Sequence, residues 1–259
     1  MEALLIRFDA PLMSFGAPIV DHHGVIQPFP ALSMLCGMLG NALGYHHRDT
    51  DALQCLQERI RYACRRDVPG RRLRDFQTVH LGQPFMRDHC AWTTRGALEK
   101  RKGGSASTGT HIRLRDYWAE AACTVALALA PPDESPGLQD LERALDRPER
   151  PLFIGRKCCL PAGRLLLGRV EADSLLDALR SAPLPCWAER RSQVDASWPT
   201  RPDADDPGAM QPFDFAQGGE PVEPRPVTDA RDWANQIHVG ERWLAQGKIQ
   251  LEPEESAND

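Results

Sequence analysis

Two short segments carry the residue types that bind phosphate. The first runs from 151 to 161 and places Gly155 directly before Arg156, Lys157 and Cys158. A glycine lets backbone N–H groups come close to a phosphate, and the two cations neutralise its charge. The alternative interpretation is a strand-to-loop corner with two solvated cations, and this segment alone does not decide between the two.

The second segment, 110–118, alternates Arg113 and Arg115 in a strand-like run that ends in Tyr117. Side chains two apart in a strand share a face, so the arginines could hold successive phosphates and the tyrosine could stack on a base. A strand edge with ordinary charges is the alternative. Residues 73–78 add a weaker signal, because they place Arg74, Gln77 and Thr78 at the root of a long loop.

Histidines occur as two pairs, His22 with His23 and His46 with His47. Acid–base cleavage of RNA requires two positioned groups and a stabiliser for the charged transition state. Adjacent side chains in a strand point to opposite faces, so at most one of each pair could take part. Surface or capping histidines are therefore favoured. The sequence contains no P-loop, no G-x-S-x-G and no H-E-x-x-H.

The eight cysteines are scattered, and no C-x-x-C spacing occurs. We expect them to be reduced and buried, as small apolar side chains, and we expect neither a metal site nor a cofactor.

The net charge of −5 conceals an uneven distribution of charged residues. Residues 59–115 hold 14 Lys and Arg against 4 Asp and Glu, whereas residues 131–259 hold 15 against 24. Because charge is felt within about a Debye length, the middle of the chain could face RNA while the acidic remainder faces solvent or a basic partner. A solvated arginine-rich face is the alternative.

Strands are predicted at 4–8, 121–130 and 164–170, and a strand that carries basic residues is predicted at 59–68. Helical spacing predicts helices at 33–44, 138–145 and 175–180. Ser33 is the expected N-cap of the first helix. The order β-α-β-β-α-β predicts an α+β fold of the ferredoxin-like, RRM-like type. An excursion of about 40 residues without sustained periodicity, from 71 to 110, interrupts this order and is expected to be functional or disordered.

Residues 185–230 hold eight prolines in 46 positions and predict an irregular extension. One last element is expected at 233–243, before an acidic tail that we expect to be disordered. The N-terminus has no basic leader with an apolar stretch, and no apolar run approaches the roughly 20 residues of a membrane span. We therefore expect a cytoplasmic protein without a membrane partner.

Five segments together resemble the CasD family, the RAMP-superfamily subunits of the type I-E CRISPR surveillance complex Cascade. They are APLMSFG (10–16), PALSMLCGMLGNALG (30–44), LRDFQTV (73–79), RDY (115–117) and FIGRKCCLP (153–161). They stand in the family's order, and the resemblance runs from residue 4 to about 180. It implies a RAMP domain over 1–180 with a thumb at 79–112, a Pro-rich extension over 181–245 and a tail over 246–259.

The resemblance also implies a function. CasD-like subunits hold the 5′ handle of the crRNA, cap the CasC backbone and dock the large subunit CasA, in a complex that binds target DNA. They are not the nuclease of type I-E systems. The helix beginning near Ser33 would offer free N–H groups to a handle phosphate. Gly16 and Gly37 would permit close approach, and Phe15 would stack or wedge. The predicted RNA-binding residues are Phe15, Gly16, Ser33, Gly37, Arg74, Gln77, Thr78, Arg113, Arg115, Tyr117, Arg156, Lys157 and Cys158.

Two other interpretations stay open. Relatives in type I-C systems process precursor crRNA themselves, which would make this chain a metal-independent endoribonuclease acting through His22, His23 or Tyr45. The chain could also be a general RRM-like RNA binder outside CRISPR.

Overall fold

The computed structural model describes residues 1–17, 19, 22–80, 90–92, 98–100, 110–200 and 224–252. Its first strand, β1 (Glu2–Met13), lies inside the main sheet with a strand on either side. Leu4, Ile6 and Phe8 face one hydrophobic core, whereas Ala3 and Leu5 face a second core on the opposite side. Because both faces of this part of the strand are buried, residues 3–6 form a continuous apolar run rather than an alternation.

β7 (Thr110–Leu129) is a 20-residue strand that organises the sheet. Its C-terminal half pairs antiparallel with β1 and with β3 (Ile60–Val68). Its N-terminal half pairs antiparallel with β4 (Arg71–His80) and parallel with β2 (His23–Gly24). Gly70 closes the turn between β3 and β4 at φ +63, where a Cβ would lie 2.5 Å from the carbonyl oxygen of Ala119.

Within the described residues, nine strands form this sheet. Besides the strands already described, they are β8 (Leu166–Glu171), β9 (Gln193–Pro199), β10 (Arg225–Val227) and β13 (Arg242–Gln250). Seven of the nine follow the order β10-β13-β9-β3-β7-β1-β8. Two small hairpins complete the strands: β5 (Cys90–Trp92) with β6 (Leu98–Lys100), and β11 (Ala230–Asp232) with β12 (Ile237–Val239).

Helices cover both faces of the sheet. The first core contains apolar residues from α1 (Leu32–Ala42), α2 (Thr50–Arg59) and α3 (Leu138–Asp146). α4 (Leu175–Ser181) packs into the second core. Of the described helices, none is long and apolar enough to cross a membrane. The structure is thus an α+β fold with a sheet that is antiparallel except for the short pairing of β2 with β7, and this part of the predicted fold class is confirmed.

Three predicted segments or bounds were wrong or incomplete, and one helix was not predicted. The excursion expected to lack periodicity from residue 71 begins instead with β4, whose mixed charged and polar side chains give no hydrophobic alternation. α2 was missed, since its ten residues carry few apolar side chains. The extension expected to be irregular contributes β9 and β13 to the main sheet. The boundary expected at 245/246 cuts through β13, where Ile249 is buried.

The predicted thumb (79–112) lies largely outside the described residues, as does the end of the predicted tail (253–259).

Candidate nucleic-acid interface

A carboxylate with a fully buried side chain, that of Asp116, lies at the base of the ribbon formed by β4 and the N-terminal half of β7. We call residues 71–80 and 110–119 the β4–β7 ribbon. Arg74 lies opposite Asp116 in the register and donates from Nε to Oδ1 at 2.8 Å. Arg72 donates to Oδ2, and the Nε2 atom of His23 lies 2.8 Å from the same oxygen. One negative charge therefore gathers three basic side chains.

These contacts set the electrostatics of the site. The hydrogen bond from Arg74, together with those from Arg72 and His23, holds the pKa of Asp116 well below its usual range. The same contact with Asp116 raises the pKa of Arg74. The side chains of Arg72 and Arg74 are still 51% and 49% exposed. Two arginines around one carboxylate leave net positive charge at the surface, which can bind phosphate.

Arg113 and Arg115 are exposed and lie opposite Gln77 and Asp75 across the ribbon. Because side chains alternate along a strand, these two arginines lie on the other face of the ribbon from Arg74. The described part of the chain gives neither of them an ion pair. Gln77 donates to Asp75 at 2.6 Å. The ribbon thus carries cations on both faces.

The predicted phosphate-binding segment packs against the end of β1. Gly155 has φ +92, and a Cβ there would lie 1.8 Å from the carbonyl oxygen of Ser14. Close approach at this glycine is therefore to the chain's own backbone, which corrects the expectation that it faces a phosphate.

Arg156 is also engaged within the fold. It donates to the carbonyl oxygens of Asp116 (2.8 Å) and Gly24 (3.1 Å), and its guanidinium lies 4.8 Å from the centroid of the Tyr117 ring. The guanidinium therefore joins β7 and β2 to the loop that carries it. This corrects the prediction that Arg156 is available to bind a phosphate. Lys157 and Cys158 are exposed, with the Cys158 thiol 3.6 Å from the Tyr117 hydroxyl.

Both predicted stacking aromatics are buried. Phe15 is 1% exposed and packs against Phe8, and Tyr117 is 3% exposed beneath Arg156. Neither ring can stack on a base in this conformation, so these two predictions are wrong. The exposed aromatic is Phe76, at 61%, on the ribbon face that carries Arg74. Phe76 was not among the predicted RNA-binding residues, because strand β4 was not recognised in the sequence.

The start of α1 is not open to a ligand. The N-cap is Ala31 rather than Ser33, and the N–H groups of Leu32 and Ser33 donate to the side chain and the carbonyl of Asp229, both at 3.0 Å. Arg242 holds that carboxylate with hydrogen bonds of 3.0 and 2.6 Å. The expected phosphate site at this helix end is therefore wrong, since an acid from the C-terminal extension occupies it.

The other predicted residues do not contact Asp116. Gly16 is exposed and bridges to Ile26, and Thr78 is exposed on β4. Gly37 faces the Trp233 ring, which lies 3.5 Å from the position of an added Cβ. Within the described ranges, no group of three His, Cys, Asp or Glu side chains could hold a metal ion.

Part of the positive charge counted over 59–115 is internal. Arg59 is 4% exposed and donates to the carbonyl oxygens of Pro131, Glu134 and Pro136. Arg65 is 0% exposed and pairs with Asp67 at 2.5 Å. A count along the sequence therefore overstates the charge available to RNA.

Asp116 and Arg72 were missed as site residues by sequence reasoning. Their contact joins positions 44 apart in the chain and depends on the register of β4 against β7. The buried acid inside the RDY segment was the one available signal, and it had no meaning until its partners were known.

Comparisons with known proteins agree with this architecture. The family described as CRISPR-associated protein (Cas_Cas5) matches residues 3–245. The CRISPR system Cascade subunit CasD of Escherichia coli (strain K12) is 32% identical over 184 residues, which cover 68% of this chain and 75% of that protein. A chain of a solved CRISPR RNA-guided surveillance complex is 23% identical, with a TM-score of 0.63 and coverage of 96% of this chain and 90% of that chain.

A second solved structure, a crystal structure of a Cas protein, is also 23% identical, with a TM-score of 0.61 and coverage of 96% and 95%. The solved structures share the fold, whereas the family match and the identity to CasD establish kinship. This chain belongs to the Cas5 family of CRISPR-associated proteins.

Proposed function

We propose that this chain is a non-catalytic, crRNA-binding subunit of a type I-E Cascade complex in the cytoplasm. It holds the 5′ handle of the guide, caps the CasC backbone and docks the large subunit CasA, and the assembled complex pairs the guide with target DNA. One observation carries the RNA-binding part of the proposal. A member of this family presents exposed arginines on both faces of the β4–β7 ribbon, organised on one face by Asp116.

The finer fold assignment belongs to the same proposal. We infer a ferredoxin-like RAMP domain from the order β3-β7-β1-β8, in which neighbouring strands are antiparallel. The chain passes through α1 and α2 between β1 and β3, and through α3 between β7 and β8. This succession supports the β-α-β-β-α-β pattern, with α2 and the C-terminal strands as additions.

The exposed side chains favour binding to the backbone of single-stranded RNA over recognition of specific bases. Arg72, Arg74, Arg113, Arg115 and Lys157 are exposed cations, and Phe76 offers an open ring among them. Single-stranded nucleic acids are held by cationic surfaces combined with stacking aromatics. Each phosphate that is neutralised should contribute about −0.7 to the slope of log K against log salt.

The test is co-purification. The tagged chain is expressed with the products of its neighbouring genes, and any RNA that accompanies it is sequenced. We expect RNAs of uniform length with a common 5′ sequence. The triple variant Arg113→Ala/Arg115→Ala/Lys157→Ala should reduce the recovered RNA at least tenfold.

The matched control is Arg143→Ala/Arg147→Ala, which removes two exposed cations from α3 and its end. It should leave the RNA yield unchanged. Recovery of partners without RNA, or an equal loss in both variants, contradicts the proposed binding surface.

The metal-independent endoribonuclease is the second candidate. It is favoured by one observation, the contact of 2.8 Å between His23 and buried Asp116, which resembles an oriented acid–base pair. Against it, the same carboxylate is shared with two arginines that already stabilise its charge. Incubation with repeat RNA in a chelator separates the candidates: cleavage that is lost in His23→Ala overturns the non-catalytic proposal.

A further inference from the structure

The main chain of Asp116 is held separately from its side chain. Arg156, in the 151–161 segment, donates from its guanidinium to the carbonyl oxygens of Asp116 at 2.8 Å and of Gly24 at 3.1 Å. Gly24 and His23 form β2, and the Nε2 atom of His23 lies 2.8 Å from Oδ2 of Asp116. The contacts therefore close a ring, from Arg156 through β2 to the Asp116 side chain and from the Asp116 carbonyl back to Arg156.

The strand β2 relies on this ring because it is very short. It has two residues, whereas strands usually have at least three, and it pairs in parallel with Leu114 and Arg115 of β7. Arg156 adds a side-chain hydrogen bond to the carbonyl oxygen of Gly24. The position of the neighbouring imidazole beside Asp116 therefore depends partly on Arg156.

The two carbonyl contacts need the shape of a guanidinium. The oxygens belong to different strands, and the planar fork of an arginine can donate to both at once, whereas a lysine ammonium is a point charge on a flexible stem. The guanidinium carbon also lies 4.8 Å from the centroid of the Tyr117 ring, which supports it from one side. The backbone is fixed as well, because the N–H of Cys159 donates to the carbonyl oxygen of Arg156 at 2.8 Å. Arg156 is thus held in place before any RNA is bound.

Gly24 leaves the space that the guanidinium occupies. A Cβ at this position would lie 2.5 Å from the Nη2 atom of Arg156. Gly24 is a strand residue, and its φ is not positive. The backbone conformation therefore does not require glycine here, whereas the position of Arg156 does.

We propose that Arg156 is a positioning residue for RNA binding, which holds Asp116 and β2 so that the Asp116 carboxylate keeps Arg72 and Arg74 oriented at the surface. The proposal rests on the proposed RNA-binding function and adds a role to it. The phosphate is bound by the half-exposed arginines of β4 and not by Arg156. Loss of the fork at Arg156 shifts Asp116 and lowers RNA affinity even when the net charge is unchanged.

The first experiment measures RNA affinity with a substitution that keeps the charge. The full-length chain is titrated into a fluorescent single-stranded RNA that has the common 5′ sequence of the co-purified RNAs, and anisotropy gives the dissociation constant at several salt concentrations. Arg156→Lys should weaken binding about tenfold, because hydrogen bonds from charged groups are lost. The slope of log K against log salt should become shallower by about 0.7 for each arginine of β4 that loses its phosphate. Wild-type affinity in Arg156→Lys means that any cation at position 156 is sufficient, and it overturns the proposal.

Gly24→Ala tests the same link from the other side. It leaves every charge in place, and its methyl group displaces the guanidinium of Arg156. We expect a severalfold loss of RNA affinity. If the guanidinium were itself the phosphate ligand, its release from Gly24 would leave the affinity unchanged or raise it, and that result contradicts a positioning role.

Arg150→Lys is the matched control. Arg150 also donates to two carbonyl oxygens, those of Tyr45 at 2.6 Å and Gly44 at 2.8 Å, in the loop that follows α1. The substitution should lower the free energy of unfolding but leave RNA affinity and the salt slope unchanged. An equal loss of affinity in Arg150→Lys and Arg156→Lys would reflect a general loosening of the fold and would overturn the proposal.

A double-mutant cycle shows whether Arg156 acts through β4. In the Arg72→Ala/Arg74→Ala background, Arg156→Lys should have little further effect on RNA affinity, because the arginines that it positions are absent. Residues that act through one another give non-additive effects of this kind. Additive losses would mean that Arg156 acts independently of β4, against the proposal.

A readout without RNA separates this inference from the proposed function. The Nε–H resonance of Arg74 in the ¹⁵N-labelled chain, assigned with Arg74→Lys, reports the hydrogen bond to Asp116. It should shift in Arg156→Lys and in Gly24→Ala and stay in place in Arg150→Lys. If RNA is bound but the resonance does not shift, this inference fails while the proposed function stands. If neither the chain nor the complex binds RNA, the proposed function fails, and the resonance alone decides whether Arg156 positions Arg74.

Discussion

The Nε atom of Arg74 lies 2.8 Å from Oδ1 of Asp116, although the two residues are 42 positions apart in the sequence. They meet because β4 and β7 pair antiparallel with Arg74 opposite Asp116. The carboxylate is buried while the arginine is half exposed. Asp116 therefore positions the exposed guanidinium of Arg74 at the surface of the ribbon.

Replacement of Asp116 by asparagine should weaken both the fold and RNA binding. The variant keeps the shape of the side chain but removes the charge that Arg72, Arg74 and His23 share. Hydrogen bonds to charged groups contribute about 1.5–3 kcal/mol, so the free energy of unfolding should fall by about that amount. Urea denaturation measures it, and RNA recovery from the complex should fall as well.

Asp133→Asn is the control for that variant. It removes the same charge from an exposed position. It should therefore change the free energy of unfolding by less than about 0.5 kcal/mol and leave RNA recovery unchanged. If Asp116→Asn behaves like this control, Asp116 does not position the arginines.

The contribution of Asp116 should disappear in acid. Its pKa in the folded chain lies well below the usual value of about 3.9, chiefly because of the hydrogen bond from Arg74. A carboxyl group with a lowered folded pKa stabilises the fold above its unfolded pKa and loses that effect as pH falls toward the folded value. The difference in unfolding free energy between the wild-type chain and Asp116→Asn should therefore be constant near pH 5 and shrink below about pH 4. A difference that grows in acid would contradict this origin.

Asp229→Ala should be among the most destabilising single changes in the C-terminal extension. It removes the acceptor at the start of α1 and leaves Arg242, whose side chain is 19% exposed, without its carboxylate. Loss of one partner from a buried pair costs about 3–5 kcal/mol. Glu241→Ala, an exposed acid beside Arg242, should cost less than about 0.5 kcal/mol. Thermal or urea unfolding compares the two, and similar values would mean that the extension does not hold α1.

The elements of this protein that the sequence predicts are those whose burial shapes their own sequence. The apolar runs in β1 and in the C-terminal half of β7 are visible in the sequence because burial on both faces of these strands requires them. β4 and α2 are largely polar, and their partners rather than their patterns define them. Ser33 has the right type for an N-cap, yet the N-cap is Ala31, and the N–H of Leu32 is satisfied by the side chain of Asp229, 197 positions away in the sequence.

The residues of the candidate site also fall into those whose exposure the sequence predicts and those whose exposure it does not. Arginines at 72, 74, 113 and 115 reach the surface as residues of their type usually do. The aromatic roles were assigned wrongly because exposure depends on strand phase: Tyr117 points inward beneath Arg156, whereas Phe76 points outward. Burial of Arg59 and Arg65 likewise depends on carbonyl groups contributed by distant loops and by the end of α4.

The expectation of uniformly buried cysteines is corrected by exposure at three positions, and a labelling pattern follows from it. Cys55, Cys158 and Cys186 are exposed, whereas Cys36, Cys64, Cys123 and Cys159 are buried. Burial raises the pKa of Cys36 and of Cys159 to about 12, and the thiolate is the reactive form. Iodoacetamide at pH 8 should therefore label the three exposed thiols first, as read by peptide mass spectrometry. Early labelling of Cys36 in the native protein would show that α1 opens.

Gly155→Ala should separate the packing role of the 151–161 segment from its charge. A Cβ at Gly155 would lie 1.8 Å from the Ser14 carbonyl oxygen, and the residue has φ +92. Strain of this kind, together with the clash, should lower the free energy of unfolding by at least about 2 kcal/mol. Gly163→Ala, in the same connection before β8, has open space and should change it little. Lys157→Ala should leave stability unchanged, since the side chain is exposed. If both glycine variants unfold at the same urea concentration, Ser14 and Gly155 are not held in contact, and the loop that carries Arg156 is not anchored to β1.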